Sequence, residues 1–211
     1  SDNFENRITS NGAAATLTNA GTIQGAGRLG DGDSNLALVN QGTVNATGAN
    51  GITLNVGGGT AVNAGLMEAT GTGGLLIVGS TLDNTAGGTL PGAQGGTLLA
   101  AGAGAHVDLQ TATIIGGTLA NTGGGVIQTV DRGSVLRGVS LGAGSTLTVT
   151  NNTTLTLRDA LATSGTVLLN SAGNYTQLAA SVAVTLQAGS LVRMSDNFEN
   201  RITSNGAAAT L

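Results

Sequence analysis

A short rhythm in the sequence limits what this chain can fold into. Asn19-Ala20-Gly21-Thr22-Ile23 is followed by Asn40-Gln41-Gly42-Thr43-Val44 and Asn63-Ala64-Gly65-Leu66-Met67, at steps of 21 and 23 residues. Asn84 comes 21 residues later with a related Gly87-Gly88-Thr89-Leu90; Gly116-Gly117-Thr118-Leu119 and Gly165-Thr166-Val167-Leu168 repeat the theme more loosely. Between these motifs apolar residues return in short runs, as in Ile52-Thr53-Leu54-Asn55-Val56 and Leu75-Leu76-Ile77-Val78. No stretch has helical spacing, caps and sufficient length, because glycine interrupts nearly every window. A unit this short cannot form a propeller blade. It can form one coil of a solenoid: strand, glycine corner, strand, corner, strand.

The strand segments agree. Thr146-Leu147-Thr148-Val149-Thr150 and Thr154-Leu155-Thr156-Leu157 alternate strictly, and Val182-Ala183-Val184-Thr185-Leu186 does the same. Alternation turns Leu and Val inward and Thr outward, where it stays wettable and keeps its strand propensity. Gly and Asn at the corners are expected to supply positive φ. Asn at equivalent corners of successive coils is expected to stack, each amide bonding the next. The predicted fold is all-β: a right-handed parallel β-helix with about three short strands in each coil of roughly 21 residues.

Composition removes the rivals. The chain has 211 residues with 37 Gly, one Pro and no Cys or Trp. Collagen would need Gly at every third position, which is absent. Disorder usually needs low hydrophobicity and high net charge; here 40% of residues are hydrophobic and the net charge is −4. Every basic residue is Arg, and the 11 acids outnumber the 7 arginines. No basic face is left for phosphates, so nucleic acid is not an expected partner.

A longer period lies above the short one. Residues 195–211, SDNFENRITSNGAAATL, repeat residues 1–17 letter for letter. This reads as tandem duplication, with residues 1–194 as one long period and 195–211 as the opening of the next. The duplicate stretch is expected to mark the start of a coil. One period would hold about nine coils and advance roughly 43 Å, at ~4.8 Å per coil.

Few residues offer chemistry. Asp31-Gly32-Asp33-Ser34-Asn35 has the opening spacing of a calcium loop, but Leu36 and Gly42 stand where an EF-hand needs Gly and Glu. Asp31, Asp33 and Asn35 are therefore a weak calcium candidate set, and no cofactor is expected. The single histidine, His106, stands two residues from Asp108, on the same side of a strand, without a nucleophile elbow. Gly57-Gly58-Gly59 and Gly123-Gly124-Gly125 lack the Lys-Ser or Lys-Thr of a phosphate loop and read as corners. Sequons at Asn45, Asn152 and Asn174 are expected by accident in a chain so rich in Asn and Thr. The outward threonines do not recur at one offset, as a flat ice-binding plane would require. Asp2, Glu5, Asp196 and Glu199 form a duplicated acidic set with Arg7 and Arg201 close enough in sequence to pair. The aromatics are Phe4, Phe198 and Tyr175. They and the arginines are the first candidates for contacts between rods, although burial of Phe4 and Phe198 in a widened coil is the favoured expectation.

Coils such as Leu-Thr-Asn-Ala-Gly-Thr-Ile-Gln-Gly (17–25) and Leu-Val-Asn-Gln-Gly-Thr-Val-Asn-Ala (38–46) resemble the repeat regions of filamentous-haemagglutinin-like and autotransporter-like bacterial adhesins. The resemblance implies a right-handed parallel β-helix, export to the bacterial surface or medium, and a stiff stalk holding a binding region away from the cell. Its partners would be neighbouring repeats of the same chain, with host or surface glycans engaged through other regions. The expected function is a non-catalytic rod serving adhesion or biofilm. The alternatives are a laterally self-associating matrix or sheath filament and, behind it, a carbohydrate-active β-helix enzyme. The enzyme would need paired carboxylates, which are scattered here.

Overall fold

A computed structural model of the chain describes residues 2–3, 5–85, 95–181, 184–186 and 188–204. It is a right-handed parallel β-solenoid of about 8 turns of about 22 residues, with three strands per turn. This confirms the predicted class and replaces nine coils of 21 residues with fewer, slightly longer ones. Eight steps of ~4.8 Å give roughly 38 Å of rod.

The strands form three parallel sheets, with 9, 9 and 7 strands among the described residues. We call them A, B and C, in the order the chain meets them. Arg7–Ile8 begins sheet A, Ala15–Asn19 begins sheet B and Thr22–Gly25 begins sheet C. Each later strand pairs with its counterpart one coil earlier, which is why the short rhythm exists: a position must suit the one it stacks on. Inward files are aliphatic. Ile52, Leu75, Val107, Ile127, Leu147 and Val167 stack in sheet A and are all buried. Ile23, Val44, Met67, Leu98, Leu119 and Leu141 do so in sheet C. The core is narrow and continuous along the axis, so length supplies the buried area that girth cannot.

Two expectations about register are corrected. Thr97 pairs with Leu66, so Gly96-Thr97-Leu98 continues the motif after Asn84; Gly87–Leu90 lies outside the described residues. An insertion between Asn84 and Gly95 hides this, since it carries a second Gly-Gly-Thr-Leu. Thr166–Asn170 pairs with Thr146–Thr150 in sheet A, whereas the earlier Gly-Thr pairs Gly42-Thr43 and Gly96-Thr97 lead into sheet C. The strand of sheet C in that coil is the short Ala162–Thr163. Residues 182 and 183 of the predicted 182–186 strand also lie outside the described set; Val184 is buried, and Leu186 bridges to Leu161.

The duplicated stretch does not mark one point on a coil. Arg7 pairs with Arg28 in sheet A, whereas the identical Arg201 pairs with Gln177 in sheet B. Between the two copies the chain has advanced a whole number of coils plus one third. Three-strand coils permit this, because each copy needs only an aliphatic file to stack on and either sheet offers one.

Candidate functional site

The three corners of the coil differ in what fills them. Between sheets B and C the corner holds an amide ladder in its first coils. Asn19 Nδ2 donates to Asn40 Oδ1 at 2.7 Å, Asn40 Nδ2 to Asn63 Oδ1 at 2.7 Å, and Asn63 Nδ2 to Asn84 Oδ1 at 2.9 Å. The second hydrogen of each donor amide goes to a sheet C carbonyl one coil on: Thr43 O, Leu66 O and Thr97 O. These side chains are buried, and the predicted stacking is realised with both donors of each donor amide satisfied. The glycine two residues after Asn40 and after Asn63 has a different role from the one expected. Gly42 and Gly65 do not have positive φ. A Cβ on Gly42 would lie 2.1 Å from Gly21 O, and one on Gly65 2.2 Å from Gly42 O. Close stacking of corner on corner selects glycine here, and φ does not.

The corner between sheets C and A is tight and glycine-rich. His106 belongs to it. Its ring lies over Gly74, where a Cβ would come within 2.3 Å of Cε1, and Nε2 is 3.2 Å from Thr72 O. Nδ1 is 3.0 Å from Asp108 Oδ2 but not aligned for a hydrogen bond. Asp108 Oδ1 instead accepts from Gln128 Nε2. His106 packs a corner, and among the described residues no Ser or Thr hydroxyl is hydrogen-bonded to it.

The corner between sheets A and B carries the richest set of polar side chains. Asp31, Asp33 and Asn35 are here, in an exposed bulge closed by local bonds: Asp33 N donates to Asp31 Oδ1, and Asn35 donates through N and Nδ2 to Asp33. Those bonds from Asn35 hold the Asp33 carboxyl below its ordinary range. Further along, Asp131 receives the Thr111 hydroxyl, the Gly133 N–H and the Ser134 hydroxyl. Burial opposes its ionisation, yet these donors outweigh it and lower its pKa. Among the described residues no three His, Asp or Glu side chains are grouped to hold a metal ion.

At the far end of this corner a cleft of about 280 Å³ is lined by Arg132, Asn152, Gly173, Asn174, Tyr175 and Glu199. Arg132 donates from Nε to Asn152 O at 3.0 Å and from a terminal nitrogen to Asn152 Oδ1. Arg201 stacks 3.7 Å from the Tyr175 ring centroid and pairs with Glu199 at 3.2 Å. Arg7 and Glu5 pair likewise in the first copy. Tyr175 is 50% exposed and Phe198 87% exposed, which overturns the expected burial of Phe198; Phe4 lies outside the described residues. The cause is position: Phe198 sits on the turn between Leu191–Met194 and Asn200–Ser204, whose inward places are taken by Val192 and Ile202. Sequence reasoning found Tyr175 as a contact candidate. It missed Arg132, Asn152 and Glu199 as its neighbours, because only the coil repeat brings positions so far apart in sequence to one edge.

Asn45 Nδ2 donates to Glu68 Oε1 and its Oδ1 accepts from Thr70, so this sequon amide is engaged at both ends. The outward file of sheet A runs Arg28, Thr53, Leu76, Asp108, Gln128, Thr148 and Leu168, which is no threonine plane. Comparisons of the chain with protein families, curated proteins and solved structures found no match.

Proposed function

We propose that the chain is a structural repeat segment of a secreted bacterial surface fibre or giant adhesin, a stiff rod that performs no catalysis. One observation carries the reading: among the described residues two parallel sheets run through nine successive strands and a third through seven, so each inner strand is tied to the coils before and after it. A rod built this way resists local opening, since freeing one strand breaks two ladders. The exact duplication of 17 residues supports selection for length. Neighbouring repeats are then the main partners, and location at the cell surface or in the medium follows from the resemblance of the coils to filamentous-haemagglutinin-like and autotransporter-like repeats. The matrix-filament alternative draws on exposed Phe198 and Tyr175 as lateral contacts.

If residues 1–194 recur in tandem, the one-third turn between copies carries each surface feature to the next face of the rod. Two joined copies of residues 1–194 test both points by electron microscopy. The expected image is a single unbranched rod of roughly 80 Å, from ~4.8 Å per coil. Two separate particles on a flexible tether would contradict the stalk reading. Rods that bundle with rising concentration would favour the filament.

A further inference from the structure

We infer that the cleft at Tyr175 is a saccharide-binding site, selective for a sugar that carries a carboxylate. Tyr175 supplies an exposed aromatic face, the platform on which a pyranose ring stacks its C–H groups. Arg201 stacks on this ring at 3.7 Å yet does not line the cleft, so the tyrosine is held in place while its cleft side stays open. Around it stand hydroxyl-binding groups of both senses: the Asn152 and Asn174 side chains, the Glu199 carboxylate and the Arg132 guanidinium. Besides Tyr175, four of the six lining residues carry polar or charged side chains, which suits a ligand rich in hydroxyl groups.

The charges favour an acidic sugar. Glu199 is neutralised by Arg201 at 3.2 Å. Arg132 bonds to Asn152, a neutral residue, and makes no ion pair with a described carboxylate. Its remaining N–H groups form a fork suited to a carboxylate.

The walls are built firmly. Asn151 Oδ1 accepts from Ala172 N at 2.8 Å and Asn174 N at 3.1 Å, fixing the turn that presents Tyr175. Ser171 Oγ donates to Asn174 O at 2.7 Å, and Thr176 N donates to Glu199 O at 3.0 Å. Arg132, Asn152, Asn174 and Glu199 stand on four successive coils, so the cleft runs along the axis for roughly 14 Å at ~4.8 Å per coil. An extended oligosaccharide has a comparable rise per sugar, so the cleft suits a short linear chain. The site does not depend on the stalk reading; a free rod would bind equally well.

The chain has one Tyr and no Trp, so its intrinsic fluorescence reports on Tyr175 alone. Titration of the 211-residue chain with galacturonate trisaccharide should change that emission saturably. Galactotriose, which lacks the carboxylates, should bind about tenfold more weakly, as should the acidic trisaccharide to Arg132→Ala by calorimetry. By calorimetry, since these variants remove the fluorescent reporter, Tyr175→Phe should retain binding and Tyr175→Ala should lose it, with circular dichroism confirming that both keep the fold. An unchanged emission, or equal affinity for the two trisaccharides, would overturn the assignment. So would undiminished binding by Arg132→Ala.

Discussion

The corner between sheets B and C is built in two ways within one molecule. In the first coils it is filled by buried amides, Asn19 through Asn84. In the later coils Gly116, Gly138 and Asp159 occupy the equivalent places, and the space is closed by Val139 and Leu161, both buried. Outside this apolar version Arg137 and Arg158 stack in register, with Asp159 3.4 Å from Arg137. The fold therefore does not require the asparagines. A hydrogen-bonded corner and an apolar one hold the same turn, but they fail differently. An amide in a ladder has directional partners on both sides, whereas a valine has only neighbours.

That difference predicts the largest effect. Asn40→Leu removes one of the two acceptors of Asn19 Nδ2, leaves Asn63 Oδ1 without the Asn40 donor and frees Leu66 O, so it should destabilise the chain by about 3–5 kcal/mol in urea unfolding. Val139→Ala in the apolar corner should cost only about 1–3 kcal/mol through the cavity it leaves. Equal losses would mean that the amides act as mere filler.

Glycine substitutions sharpen the same contrast. Gly42→Ala places a methyl 2.1 Å from Gly21 O, so two corners must move apart; a loss of about 2–3 kcal/mol is expected, as for overpacking. Gly138 has φ +58°, and a Cβ there would meet nothing within 4 Å. Gly138→Ala should therefore cost only the left-handed backbone penalty of about 1 kcal/mol. Thermal melts of the two variants give the order directly.

Asp131 gives a pH test. Its folded-state pKa is depressed, so its contribution is complete above the ordinary value of 3.8 and fades as the pH falls through the folded value. Asp131→Asn should be less stable than the parent at pH 7, with the gap closing as the pH drops below 3.8. A gap that widens on acidification would contradict this. The smallest effect belongs to Arg137 and Asp159, both about half exposed. Asp159→Ser should change stability by at most about 0.5 kcal/mol, less at high salt.

The sequence made the coil legible because stacking repeats its constraints at each turn. Asn40 and Asn63 recur at nearly the spacing of the coil, and the alternation of Thr146–Thr150 needs no tertiary information. Where the constraint was relaxed, the register was lost: the insertion after Asn84 displaced the motif to Gly96, and the short Ala162–Thr163 strand left Gly165-Thr166 to be assigned to the wrong face. Exposed positions carry no stacking constraint. Phe198 therefore gave no sign of facing solvent, and the cleft at Tyr175 could not be assembled without knowing which corner each residue occupies.

Distances along one outward file test the solenoid most directly. Arg28, Gln128 and Leu168 lie on the outer file of sheet A, with Gln128 four coils and Leu168 six coils beyond Arg28. With paired spin labels on cysteines at these sites, pulsed electron resonance should give narrow distributions near 19 Å for the 28–128 pair and near 29 Å for the 28–168 pair, at ~4.8 Å per coil before allowance for the label arms. Broad distributions, or a 28–168 distance no longer than the 28–128 one, would contradict a stiff parallel solenoid.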